Sequence, residues 1–484
     1  MPSERISVVV SIILLCSLLI SSYALALTTI SVSINSYGTI MLSSGQYTIT
    51  ASGGTYTATE NISPHRTASN ANFASIFSTV LGWMTAGNTV DFIGNFTWSS
   101  TQVIVSKSII MNVSTASINF ATDSFPLKFT ARVTMLGGHT VNISDDSDYN
   151  PLGNGGHLIG SGTSDRRILL STGATGSKFD GVDFENFGVY FMYSATVSNV
   201  IIQNCIFHDF PASGNVPAIG GAGQGYHIVQ DCRFLRMRQM GIFLEGTNTN
   251  CQFLRNEFRD FEGVGNALYQ HCFYLSGGSI SGGVGGYNTI AYNKFSDMDN
   301  YGGAVQIKCP SNKIYGNTFE NYTSSSVAIS IYSQFAGSGA NNNEIYNNTF
   351  TNVGSAFWIG KNDAVEPTLQ TWIHNNTFTN VNTGVWLLLT GAISNADDTK
   401  VYYNDFNNCN NPILSQTPTL VHNTVFAFNY LNANMSTTQL QNCVNSMCYQ
   451  NTFFPPNSTT LAIPNFNFVP ITESLSYYYV APRI

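Results

Sequence analysis

From about residue 180 to 455 short apolar segments alternate with Asn- and Gly-rich breaks, and the segments repeat. Asn347-Asn348-Thr349-Phe350-Thr351-Asn352-Val353 returns 28 residues later as Asn375-Asn376-Thr377-Phe378-Thr379-Asn380-Val381, and a looser copy follows at 403–409. Extended both ways, the register is anchored by Phe184, Phe207, Phe234, Phe258, Phe295, Phe319, Phe350, Phe378, Phe406, Leu431 and Phe453, at intervals of 22 to 37 residues. Five residues before the anchor stands an apolar residue, from Ile202 and Val229 through Ile290, Ile314, Ile345 and Ile373 to Val401. Three after it stands another, such as Phe210, Met237, Phe261, Met298 or Val353. Two before it stands Asn in successive repeats: Asn256, Asn293, Asn317, Asn348, Asn376, Asn404, Asn429 and Asn451.

A helical repeat of this length needs apolar residues at i, i+3, i+4 and i+7 over long windows. These segments are short, β-branched and broken by Asn and Gly, so they read as strands. The pattern predicts an all-β solenoid in which each repeat is one coil and equivalent residues stack about 4.8 Å apart. Apolar columns then form a core that no coil buries alone. The Asn column can hydrogen-bond amide to amide. Intervals above 22 are coils with inserted loops, including the Gly-rich stretch 276–286 and residues 211–225. Cys205 and Cys232 hold the Asn position in two adjacent coils, within the Cα separation of a disulfide. They are expected to touch, with a bridge and a thiol pair both open. Cys409 falls in a core column and reads as a buried thiol. Trp358 and Trp386, 28 residues apart, are expected to stack, either within the core or as a platform for sugars.

The chain ends differ from this body. Residues 6–20 are almost wholly apolar and precede Ala24-Leu25-Ala26, which reads as an export signal over residues 1–26. An uncleaved membrane anchor is the alternative, and only then is a membrane a partner. Residues 27–71 read as a β-rich extension, 72–455 as the solenoid and 456–484 as a tail or cap. Eight cysteines beyond Cys16 and nine Asn-x-Ser/Thr sequons suit a secreted or cell-surface glycoprotein with disulfides. Charged residues are only 10% and the net charge is −8, which excludes electrostatic binding of nucleic acid. No C-x-x-C occurs, so a structural zinc site is not expected, and no residue is assigned as a metal ligand.

The repeat, typified by Asn343-Glu344-Ile345-Tyr346-Asn347-Asn348-Thr349-Phe350, resembles the pectin-lyase-like superfamily of right-handed parallel β-helices. So does the approach to it: an amphipathic helix at Ala74-Ser75-Ile76-Phe77-Ser78-Thr79-Val80-Leu81, the runs Gly87-Asn88-Thr89-Val90-Asp91-Phe92 and Val103-Ile104-Val105, and a first coil at Phe179-Asp180-Gly181-Val182-Asp183-Phe184. The resemblance covers roughly residues 72–455. It implies a right-handed parallel β-helix whose open end is capped by the short N-terminal helix. It implies little about chemistry. The N-T-D, D-D, G-H-G and R-I-K motifs of polygalacturonases, the D-P-H-D motif of mannuronan epimerases and any pectate lyase signature are missing.

Chemistry must therefore be read from side chains. Five of the 19 Lys and Arg lie between Arg233 and Arg259, and acids crowd the same coils. Two residues after the anchor the column reads Asp209, Arg236, Asp260, Asp297; four after it reads Arg238, Glu262, Asp299. Stacked carboxylates suit a glycosidase pair or a Ca2+ site; stacked ions also suit a plain exposed ladder. Aligning the strand that follows each turn stacks Phe243, Tyr274 and Gln306, and beside them Glu245, Ser276 and Lys308, with His271 just before. Asp260, Asp297, His271, Glu245, Lys308 and Tyr274 are thus the candidate catalytic residues. Arg236, Arg238, Arg259, Glu262 and Asp299 are the candidates for binding an anionic glycan. The expected activity is binding, with or without cleavage, of extracellular polysaccharide by a lyase or glycoside hydrolase, Ca2+ being the only cofactor considered. The alternative is a non-catalytic adhesin, coat or virion protein.

Overall fold

The computed structural model describes residues 31–34, 40–43, 45–99, 102–121, 126–141, 155–160, 167–190, 197–210, 217–221, 223–238, 240–261, 271–276, 285–299, 303–333, 339–360, 368–387, 396–415, 421–432, 443–444, 447–449 and 451–453. The expected signal, the tail, Glu262 and most of the Gly-rich insertion lie outside them.

A typical coil holds three short strands, as in Ile201–Gln203, Ile206–His208 and Ile219–Gly221. Each strand pairs in parallel with its counterparts in the coils before and after. The third strands make a twelve-stranded parallel sheet that runs from Val103–Val105 to Asn411–Ser415. Every anchor read from the sequence pairs with the next, from Phe184 opposite Phe207 to Leu431 opposite Phe453. From Phe184 to Phe406 the anchor rings stack with centroids 4.4 to 5.1 Å apart and planes within 11°. Those phenylalanines are fully buried.

The column of Asn side chains runs through the turn between first and second strands. Asn317 is representative. Its backbone N–H and its Nδ2 both donate to Asn348 Oδ1, at 3.0 and 2.9 Å, and Nδ2 also donates to the Ile290 carbonyl. The same bonds recur from Asn256 up to Asn451. Each buried amide is thereby satisfied without water, as burial demands. A second ladder, Asn288–Asn312–Asn343, lies before the first strands and was not foreseen.

Left-handed turns explain much of the remaining Asn and Asp. Asn186, Asp209, Arg236, Asp260, Asp297, Asn321, Asn352, Asn380 and Asn408, all two residues past an anchor, have φ between 50° and 59°. Asn and Asp tolerate this region better than other L-residues, because their short polar side chains bond locally. Asp260 and Asp297, two of the candidate catalytic residues, stand in these left-handed turns after the second strands. We expect Asp297→Gly to leave stability within about 0.5 kcal/mol, and Asp297→Val to cost about 1–2 kcal/mol, by chemical denaturation.

One α-helix occurs among the described residues, Phe73–Trp83, with Asn72 Oδ1 accepting from the Ser75 N–H as its N-cap. It buries Phe73, Ile76, Phe77 and Val80. Phe73 packs on Phe92, Phe96 and Trp98, so the helix closes the first coils and shields their open end. Cys205, Cys232, Cys251, Cys272, Cys309 and Cys409 are buried free thiols. Cys205 and Cys232 do touch. Burial pushes the Cys232 thiol up and the hydrogen bond with Cys205 adds to it, but the bridge is not formed.

Candidate functional site

The third sheet presents one outward line of side chains. Phe243, Tyr274, Gln306, Ser330, Trp358 and Trp386 stand opposite one another in successive coils. The alternation of each strand sets their direction. In Phe273–Ser276, Phe273 and Leu275 enter the core, so Tyr274 and Ser276 face out; in Val305–Lys308, Val305 and Ile307 enter it, so Gln306 and Lys308 face out. Ser276 pairs with Lys308 as the sequence alignment placed them. Leu244 pairs with Leu275, which sets Glu245 in the same line.

Facing outward does not mean exposed here. Lys308 and Gln306 are each 2% exposed, His271 and Tyr332 1%. A buried ammonium is costly unless partnered. Lys308 Nζ donates to the Tyr274 hydroxyl and lies 4.1 Å from the centre of the Tyr274 ring and 4.9 Å from that of Tyr332. The faces of both rings thus stabilise the charge. Gln306 Nε2 donates to the Tyr332 hydroxyl at 3.0 Å. His271 Nδ1 lies 2.6 Å from the Gly303 carbonyl oxygen, which can only accept, so Nδ1 carries the proton and Nε2 is the basic nitrogen. The His271 ring centre lies 5.4 Å from that of Tyr274. Burial raises the pKa of Glu245.

The structure therefore gathers His271, Tyr274 and Lys308 and aligns Glu245 with them. Tyr332 was missed, although the register points to it: Ile307 pairs with Ile331, and the next residues are Lys308 and Tyr332. The described candidate glycan-binding residues, all but Glu262, are not gathered on this face. Arg236 grips Asp209 at 2.6 and 2.7 Å. Arg259, on the second strand, lies 3.6 Å from Glu257 and 3.6 Å from Asp260. Arg238 is exposed, and Asp299 accepts from Thr323 at 3.3 Å in a solvent-facing turn. Trp358 and Trp386 meet edge to face at 5.6 Å, half-buried and outside the core. Ahead of their strands an open cleft of about 300 Å³ is lined by Tyr322 and by Asn352, Asn380, Asn382, Asn408 and Asn410. Asn380 donates to Asn352 at 3.1 Å and Asn408 to Asn380 at 2.7 Å.

Residues 153–282 match the family described as a right handed beta helix region. No curated protein matches the chain in sequence. Among solved structures it is similar to a PL6 family polysaccharide lyase from Pseudopedobacter saltans, at 13% identity and a TM-score of 0.50 over 83% of this chain and 96% of that one. A PL6 alginate lyase complexed with a trisaccharide is 14% identical, with a TM-score of 0.47 over 78% and 81%. A tailspike capsular polysaccharide depolymerase of an Acinetobacter baumannii bacteriophage is 14% identical, with a TM-score of 0.39 over 79% and 59%. At such identities the likeness concerns the backbone alone. By its strand register, the match over residues 153–282 and the shared backbone architecture, the chain folds as a right-handed parallel β-helix.

Proposed function

We propose that this is an extracellular protein that binds an anionic polysaccharide along the outer face of its third sheet and cleaves it by β-elimination. The observation that carries the reading is the Lys308–Tyr274 pair beside His271. Hydrolysis of a glycoside ordinarily needs two carboxyl groups flanking the bond. In the described part of this outward line Glu245 is the one carboxyl group, while Asp260 and Asp297 stand off it, in the left-handed turns after the second strands. Elimination from a uronate needs different parts: a base for the proton next to the carboxylate, an acid for the leaving oxygen and positive charge nearby. His271 Nε2 takes the proton from C5. The electron pair forms the C4–C5 double bond and expels the glycosidic oxygen, which Tyr274 protonates. The Lys308 ammonium holds the Tyr274 hydroxyl and favours its release of the proton. The half-buried tryptophans and the Asn-lined cleft offer stacking and amide bonds to neighbouring sugars. Several solved β-helices of similar backbone are described as polysaccharide lyases, which accords with this reading.

Ca2+ has no role in the scheme. Calcium takes six to eight oxygen ligands, whereas among the described residues this face centres on an ammonium with one carboxylate in line. A second reading, binding without cleavage, draws on the burial of Lys308. Incubation with a panel of uronate and neutral glycans separates the two. We expect unsaturated products from a uronate polymer, and Tyr274→Phe and Lys308→Arg to lower turnover about 100-fold while binding persists. New reducing ends without unsaturation would show hydrolysis instead. No product from any uronate, with the chain folded, would leave binding alone.

A further inference from the structure

A second group of ionisable side chains lies on the outer face of the second-strand sheet, and the scheme above does not use it. The register builds it from three consecutive coils. His157 stands opposite Asp183, and Glu185, on the same face two residues on, stands opposite His208. His157 Nε2 lies 3.0 Å from Glu185 Oε2 and 3.8 Å from Asp183 Oδ2; His208 Nε2 lies 3.0 Å from Asp183 Oδ1. One ligand atom from each of His157, Glu185 and His208 falls within 4.8 Å of the others. Asp183 is fully buried and His208 is 1% exposed.

The bonding within the group is incomplete. Both oxygens of Asp183 and the Nε2 atoms of His157 and His208 are buried, and no aligned hydrogen bond joins them although they are close. Each such group costs free energy comparable to a lost hydrogen bond, and more for a charge. The two imidazole nitrogens and the carboxylates converge on one point, each nitrogen within 3.0 Å of a carboxylate oxygen. The rest of the His208 ring is fixed. Its Nδ1 donates to Asp209 Oδ2 at 2.6 Å, and Asp209 is held by both Arg236 nitrogens. An imidazole whose far nitrogen is tied to a carboxylate is the usual outer-shell support of a metal ligand. His139 borders the group, with its Nε2 also buried and lacking a hydrogen bond, and it feels the charges of Asp183 and His157.

We infer that His157 and His208, with Asp183 and Glu185, bind one divalent transition-metal ion of the zinc class. The nitrogen ligands select such a metal over calcium or magnesium, which prefer oxygen alone. The ion joins three successive coils at one point, and the inference is independent of the proposed activity. The competing arrangement is a protonated His208 between two carboxylates. Burial pulls its pKa down, but Asp183 and Asp209 beside it raise it overall.

The test uses the full chain freed of metal and titrated with Zn2+ and, separately, Co2+. We expect one ion bound per chain, visible Co2+ absorption of a low-coordinate site, and a raised Tm. Imidazole 15N spectra of the unsubstituted chain should show the Nε2 resonances of His157 and His208 moving on Zn2+ addition. His157→Ala and His208→Ala should abolish binding, and Asp209→Asn should weaken it about 10- to 100-fold. A folded chain that binds neither ion, or a His208 whose resonances remain those of an imidazolium in excess Zn2+, would overturn the inference.

Discussion

Replacing Asn348 with alanine will destabilise its part of the solenoid by about 3–5 kcal/mol, far more than loss of one polar side chain from a surface. Asn348 Oδ1 accepts from both the backbone N–H and Nδ2 of Asn317, and its own Nδ2 donates to Asn376 Oδ1 and to the Ile314 carbonyl. It is 1% exposed, so no water replaces these partners. Alanine leaves the Asn317 backbone N–H, one of its amide protons and the Ile314 carbonyl without their bonds. Each buried orphan costs about 1–3 kcal/mol, partly relieved by local adjustment. Asn380 supplies the control. It belongs to the exposed ladder with Asn352 and Asn408, and Asn380→Ala should cost about 1 kcal/mol or less, mainly through its left-handed φ of 55°. Hydrogen exchange is the suitable measurement, because long repeat arrays do not unfold as one two-state unit. Amides around Asn317, Asn348 and Asn376 should lose protection together.

Phe319→Ala is expected to cost about 3–5 kcal/mol through the cavity it leaves. The Phe319 ring is fully buried and stacks on Phe295 at 4.6 Å and on Phe350 at 4.8 Å. Alanine removes contacts on both faces at once, and the two neighbouring coils cannot close the gap while their strands stay paired through Thr318, Phe319 and Glu320. Phe319→Leu keeps most of the volume and should cost about 1–2 kcal/mol. Coils touch only their neighbours, so the loss stays local. Exchange should quicken around Phe295 and Phe350 and remain unchanged around Phe184.

The second-strand register was legible because a large aromatic and an Asn recur at fixed offsets, and both are demanded by burial. The third-strand alignment was legible from short β-branched runs after each turn, and it placed Tyr274, Gln306, Ser276 and Lys308 where the sheet has them. Asp260 and Asp297 share their column with Arg236, Asn321, Asn352, Asn380 and Asn408, all with left-handed backbone, a conformational demand that charge alone does not reveal. The His157 group escaped notice for another reason. Its first coil carries Leu158 where later coils carry phenylalanine, although Leu158 pairs with Phe184, so the anchor series seemed to begin one coil too late.

A crystal structure of the protein with an unsaturated-end oligouronide or its intact precursor tests the central claim most directly. The sugar should lie along the third sheet, with a uronate ring over Tyr274 between His271 and Lys308 and neighbouring rings toward Trp358. An oligosaccharide seated on the second-strand face, or an intact solenoid that leaves the Tyr274 line uncovered at saturating sugar, would contradict it.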